Sequence, residues 1–292
     1  MKVIYHIGLH CTDEDRALRC LLRNADTLAR QGTVVSLPGR FRPVLRQAMI
    51  HLRGAVADTR MQEQVLDAVT DVDHPERLIF SNDSFLCVPQ RAIDGNVLYP
   101  LAGERAPWIR NLFPDHPAEF AFALRNPATL IPAMQARFAD KESFGEFLAR
   151  IEPEEISWID MIERFRAAVP DCPVTIWANE DTPLIWTDVL ETLAAPAPGT
   201  DLEGSTDFLA TLMSAEGVTR MERYLEAHPP RTREHRHRVI SAFLDKFARE
   251  DAVEVEYDLP GWDAARVTAL TDRYEAELSV IAEMPGITFL QP

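Results

Sequence analysis

Five short apolar runs alternate with stretches of helical periodicity through the first two thirds of the chain, and this alternation restricts the fold more than any other feature. The runs are Val3–Ile7, Thr33–Leu37, Leu78–Ser81, Glu119–Leu124 and Pro173–Ala178. Between the first two, Leu18, Leu21, Leu22, Ala25 and Leu28 share one helical face, with Gly32 placed to end that helix. Further helical stretches fit Pro43–Arg53, Met61–Val69, Ala128–Phe138, Ser157–Val169 and Trp186–Leu193. Strands separated by helices pair in parallel and carry those helices on both faces. The expected fold class is therefore α/β, with a mainly parallel central sheet flanked by helices.

The pattern changes after Ala194-Ala-Pro-Ala-Pro-Gly199, a segment rich in residues that interrupt regular structure. Residues 204–250 are helical in pattern without a convincing strand. An amphipathic helix over about Asp263–Glu283 then precedes the closing run Ile287–Leu290. The expectation is an α/β core over 1–195 and a helical C-terminal portion over 196–292 packed on it, one domain overall.

Thirty basic side chains against 46 acidic ones leave a net charge of −16, which argues against non-specific nucleic-acid or anionic-membrane binding. The four cysteines (Cys11, Cys20, Cys87, Cys172) have neither CxxC nor metal-ligand spacing, so free thiols and no metal are expected. The N-terminal apolar run is interrupted by His6 and His10 and followed by acids, unlike a secretion signal. No apolar stretch approaches membrane-spanning length. A soluble, cytoplasmic protein without nucleic-acid or membrane partners is expected; the residues do not specify an oligomeric state.

Chemistry is best sought where the first strand ends. Val3, Ile4, Tyr5 and Ile7 run into Gly8, and a helical pattern begins near Thr12. Strand, glycine turn and helix N-terminus form the geometry that cradles phosphate with backbone N–H groups. Such a loop places a lysine and a second glycine where this chain has Cys11 and Asp13, and Glu14 and Asp15 follow. Acids suit a first helical turn, so Thr12 or Asp13 is expected to cap the helix while Arg16 balances the local charge. Thr12 has phosphate contact as its alternative role. Gly8 either admits the phosphate or supplies a positive φ. A carboxylate ~5 Å from a phosphate costs roughly 3 kcal/mol at an effective dielectric of ~20, or roughly two decades of affinity.

His6, Ile7, Gly8, His10 and Thr12 resemble the opening motif of the bacterial sulfotransferase family, His-Ile-Gly-x-His-Lys-Thr-Gly-Thr-Thr. Cys11, Asp13, Glu14 and Asp15 replace its Lys, Gly, Thr and Thr. The similarity continues in Asn24–Gly32, Leu78–Leu86, Leu124–Pro127, Leu259–Trp262 and Met284–Leu290, spread over nearly the whole chain. The resemblance implies a P-loop, nucleotide-kinase-like sheet with a helical C-terminal portion. It also implies 3′-phosphoadenosine 5′-phosphosulfate (PAPS) as sulfuryl donor and a small-molecule or saccharide acceptor. It implies Gly8, His10, Thr12 and Arg125, on matching positions, and Cys11, at the position of the motif's lysine, as cofactor-binding residues. Asp83 stands where the family carries a Glu, which makes it the candidate base. The family's serine about eight residues after the arginine falls on Ala133, so that hydroxyl is absent.

Each candidate has a structural alternative. Asn82-Asp83-Ser84 is ordinary turn chemistry, and Arg125 can pair with one of many acids. Cys11 before a helix N-terminus invites a nucleophilic reading, but the adjacent acids oppose it and an inert small residue fits better. Arg231–Arg238 is the one basic cluster, either a gatherer of anions or a solvated helix face. The five tryptophans lie within apolar patterns and read as core. Two functional readings follow. The favoured one is a sulfotransferase-like protein that has lost ordinary PAPS-dependent transfer and serves a binding or regulatory role. The alternative is an active sulfotransferase that moves a sulfuryl group from PAPS to a hydroxyl or amine, with Asp83 as base.

Overall fold

The computed structural model describes residues 1–253 and 258–292. In chain order the strands are β1 (Lys2–His6), β2 (Thr33–Val35), β3 (Arg77–Ser81), β4 (Ile93–Asp94), β5 (Val97–Leu98), β6 (Ala118–Leu124), β7 (Val174–Ala178) and β8 (Ile287–Leu290). The helices are α1 (Arg16–Arg23), α2 (Ala25–Ala29), α3 (Pro38–Leu52), α4 (Thr59–Val69), α5 (Ala102–Arg110), α6 (Pro127–Ala136), α7 (Phe144–Leu148), α8 (Trp158–Ala168), α9 (Thr182–Ala194), α10 (Ala215–Ala227), α11 (Arg233–Phe247), α12 (Glu250–Val253) and α13 (Ala264–Ala282). Six strands form one sheet in the order β2-β3-β1-β6-β7-β8, every neighbouring pair parallel. The short β4–β5 hairpin stands apart. The α/β class expected from the alternation is the class observed.

Side-chain alternation along the strands sends each residue to one of two cores. Val3 and Tyr5 of β1, Leu78 and Phe80 of β3, and Phe120 and Phe122 of β6 face the larger core, with residues of α3, α5, α6 and α8. Ile4, Ile79, Ala121 and Ala123 face the opposite side, against α1 and α9. Both faces of β1 are therefore dry, which explains why its sequence is a continuous apolar run rather than an alternating one. Tyr5 lies between Phe80 and Phe120, ring centroids 5.8 and 5.3 Å away.

Beyond residue 195 the chain is mainly helical. Met213, Met221 and Ile240 give α10 and α11 a small core of their own with Leu209. The chain then returns through α13, whose Tyr274 and Ile281 join the larger core. The closing run Ile287–Leu290 becomes the sixth strand, parallel to β7 with Val174 opposite Ile287. Sequence periodicity did not anticipate α5, α7 or the hairpin. Among the described residues no helix is long and apolar enough to cross a membrane.

Candidate functional site

Parallel pairing brings the C-terminal ends of β1, β3, β6 and β7 to one edge, where open α/β sheets bind ligands. Residues 7–15, Asn82-Asp83-Ser84, Arg125-Asn126 and Asn179-Glu180-Asp181 all leave the sheet there. Gly8, His10, Cys11, Thr12, Asp83 and Arg125 are thus neighbours in space.

The loop after β1 folds back on itself. Cys11, Glu14 and Asp15 take left-handed conformations, with φ of 62°, 52° and 60°. Helical geometry cannot run through them, so α1 starts at Arg16 and not near Thr12. Asn24 then separates α1 from α2, dividing what the sequence read as one helix. The capping role falls to Asp13, which is buried: its Oδ2 accepts the Ala17 N–H at 2.9 Å, and its carbonyl accepts that of Arg16 at 2.9 Å. Thr12 is no cap, because its hydroxyl donates to the Leu9 carbonyl at 2.5 Å. Arg16 reaches the Asp13 carbonyl at 3.1 Å instead of a carboxylate. Gly8 does not adopt a positive φ, contrary to one sequence expectation. Its need is space: a Cβ there would stand 3.3 Å from Asp13 Oδ1 and 3.8 Å from the Asp83 amide nitrogen.

Three arginines that could meet an anion at this edge are engaged by the loop. Arg125 Nη1 donates to the Cys11 carbonyl at 2.6 Å and its Nε to Thr129 Oγ1 at 2.9 Å, so its partners are a carbonyl and a hydroxyl and not an acid. Arg137 pairs with Glu14. Arg42 Nη2 holds Asp15 Oδ1 at 2.7 Å and the Ser81 carbonyl at 3.1 Å. Ala133, at the position of the family's serine, packs against the larger core.

His10 and Cys11 turn inward. The His10 amide donates to Tyr99 Oη at 3.0 Å, its Nδ1 lies 3.2 Å from the same oxygen, and its buried Nε2 has no partner among the described residues. Burial lowers the His10 pKa to about 4, against the opposing pull of the Asp83 charge. Cys11 Sγ lies 3.5 Å from Met134 Sδ, and burial raises its pKa despite Arg137 and Arg125. That environment belongs to an inert thiol. All four cysteines are free and buried.

Asp83 is half-buried and accepts the Ser84 hydroxyl at 2.9 Å, while the Ser84 amide donates to Asn82 Oδ1 at 3.3 Å. This is the local turn the sequence suggests, and it also lines a cleft of about 680 Å³ between α3 and the chain from Asn82 to Arg105. At the end of β7, Glu180 is a site residue that no spacing announced. Its Oε1 accepts the Asn126 amide at 2.9 Å, and Tyr274 Oη lies 2.9 Å from both Oε2 and the Leu124 carbonyl. Burial raises the Glu180 pKa above its ordinary 4.5, more than these bonds and Arg125 lower it. Among the described residues no group of three His, Cys, Asp or Glu could hold a metal ion.

No protein-family model and no curated protein matches the chain. Among solved structures, a sulfotransferase from Alicyclobacillus acidocaldarius is similar, at 12% identity and a TM-score of 0.39, over 88% of this chain and 97% of that one. A likeness at that score adds nothing to what strand order already defines, a parallel α/β protein with its candidate site at the C-terminal sheet edge.

Proposed function

We propose that this chain is a sulfotransferase-like protein whose phosphate loop is occupied by its own carboxylate, and that it serves as a binding protein without PAPS-dependent transfer. The observation that supports this reading is Asp13, which lies over Gly8 and takes the Ala17 amide that a phosphate oxygen would otherwise engage. Glu14 and Asp15 then hold Arg137 and Arg42. A leaving phosphate needs free cations and N–H donors as its charge grows, and here Arg42, Arg125, Arg137 and the Ala17 amide are already engaged. The residues present do not fit the phosphates of PAPS. Calorimetric titration with adenosine 3′,5′-bisphosphate tests the reading, with no saturable binding expected. Tight binding by the unaltered chain would overturn it.

One observation favours the second reading, an active sulfotransferase with Asp83 as base. Asp83 lies beside Gly8 and lines the cleft, where an acceptor hydroxyl or amine could reach it. Nucleotide binding together with acceptor turnover that Asp83→Asn abolishes would establish that reading instead.

A further inference from the structure

The cleft beside Asp83 differs in charge from the rest of this acidic chain. Four arginines line it, Arg42, Arg46, Arg91 and Arg105, against the single carboxylate of Asp83. Arg42 is held by Asp15 and Ser81, but the guanidiniums of Arg46 and Arg91 make no hydrogen bond or ion pair with any described residue. Arg105 lies with its guanidinium carbon 3.8 Å from the Trp108 ring centroid, and its Nε is 3.8 Å from Glu104 Oε1, beyond a hydrogen bond. Both Arg91 and Arg105 act on Cys87 at the cleft wall, whose thiol burial pushes up to about 12 against their pull. Their charges therefore converge on one region. Beside Asn82 and Ser84 the rest of the wall is aliphatic and aromatic. Leu45, Met49, Phe85 and Leu86 lie almost wholly buried beneath it, and Ile50 and Val88 stand at the rim 52% and 50% exposed. Uncommitted guanidiniums beside exposed aliphatic side chains fit a ligand with one anionic end and one greasy end. A sugar would leave the aliphatic lining without a partner, and a neutral lipid would leave the arginines without one.

We propose that this cleft binds a small amphipathic anion, its carboxylate or sulfonate head held by Arg46, Arg91 and Arg105 and its tail laid against the exposed Ile50 and Val88 at the rim. This deepens the binding-protein reading and rests on it. A pocket of this size accommodates such a molecule whole.

Titration of the full chain with decanoate below its micelle concentration, with decan-1-ol as the uncharged control, tests the proposal. Decanoate is expected to bind one to one and about tenfold or more tighter than decan-1-ol. Arg46→Gln with Arg91→Gln is expected to weaken decanoate about tenfold and leave decan-1-ol unchanged. Neither guanidinium has a partner among the described residues, so the double variant keeps its fold, as its melting curve will show. Equal affinity for the acid and the alcohol, no saturable decanoate binding, or undiminished binding by the double variant would each overturn the proposal. Adenosine bisphosphate, titrated separately, judges the loop. A chain that binds the nucleotide but not decanoate fails both readings, whereas one that binds neither fails only this one.

Discussion

Asp13 and Gly8 fit together as plug and seat. One carboxylate oxygen lies 3.3 Å from where a Gly8 Cβ would stand, and the other accepts the Ala17 amide at 2.9 Å. Gly8→Ala should therefore push directly on the cap, costing about 1–2 kcal/mol in urea unfolding. Asp13→Ala should cost about 1 kcal/mol by removing the cap. The double variant should be more stable than the sum of the two losses predicts, because the methyl then has nothing to displace. Strict additivity would show that the two residues do not meet.

Reversing the charge at the loop should restore anion binding. Cys11→Lys with Asp13→Gly changes the local charge by two units, which should improve adenosine bisphosphate affinity by ~2 kcal/mol, roughly thirtyfold, after screening. The unliganded variant should melt earlier, by about 1 kcal/mol of lost capping and further by the cost of a lysine at the buried Cys11 position. Ala133→Ser should add a smaller gain if Arg125 can leave the Cys11 carbonyl. Thermal stabilisation by the nucleotide across salt concentrations reads all three effects. An unresponsive variant would mean that more than loop charge excludes the ligand.

Glu180 should make stability depend on pH. Tyr274 has one hydroxyl proton and two oxygens at 2.9 Å, so a protonated Glu180 supplies the second hydrogen bond. Its folded pKa lies above the ordinary 4.5, so the folded state binds more protons than the unfolded state as pH rises from that value. The stabilisation is complete below 4.5 and is lost as pH rises through the folded pKa. Glu180→Gln keeps both bonds without a titrating proton. Its advantage over wild type in urea unfolding should grow with pH above 4.5. A gap constant between acid and neutral pH would contradict the assignment.

His10 should act in the opposite sense. Its pKa falls from 6.5 to about 4 in the folded state, so its neutral form contributes fully above 6.5. That contribution is lost as pH falls from 6.5 towards 4, by at most about 3 kcal/mol. Relative to His10→Asn, which cannot titrate, wild type should lose stability over that interval. Paired denaturation curves that stay parallel with pH would show that His10 is solvated.

The sheet was legible because its signal is local. A strand buried on both faces must be apolar throughout, so β1, β3, β6 and β7 stand out as runs, and the acids after Gly8 announce a cap through their effect on the nearest amides. α1 starts later than its apolar pattern suggests because the left-handed residues Cys11, Glu14 and Asp15 leave no periodic trace. The positive φ offered for Gly8 as one of two roles is not observed, because a close approach by Asp13 and Asp83 is invisible one residue at a time. Only tertiary structure decided which charges meet: Arg137 reaches Glu14 across 123 residues, and Tyr274 reaches Glu180 across 94. It also placed Ile287–Leu290 beside β7 and gathered Arg46, Arg91 and Arg105 around one cleft. Backbone periodicity reports hydrogen bonds within a few residues, whereas the crossovers of a parallel sheet join residues whose spacing in the chain carries no record of their contact.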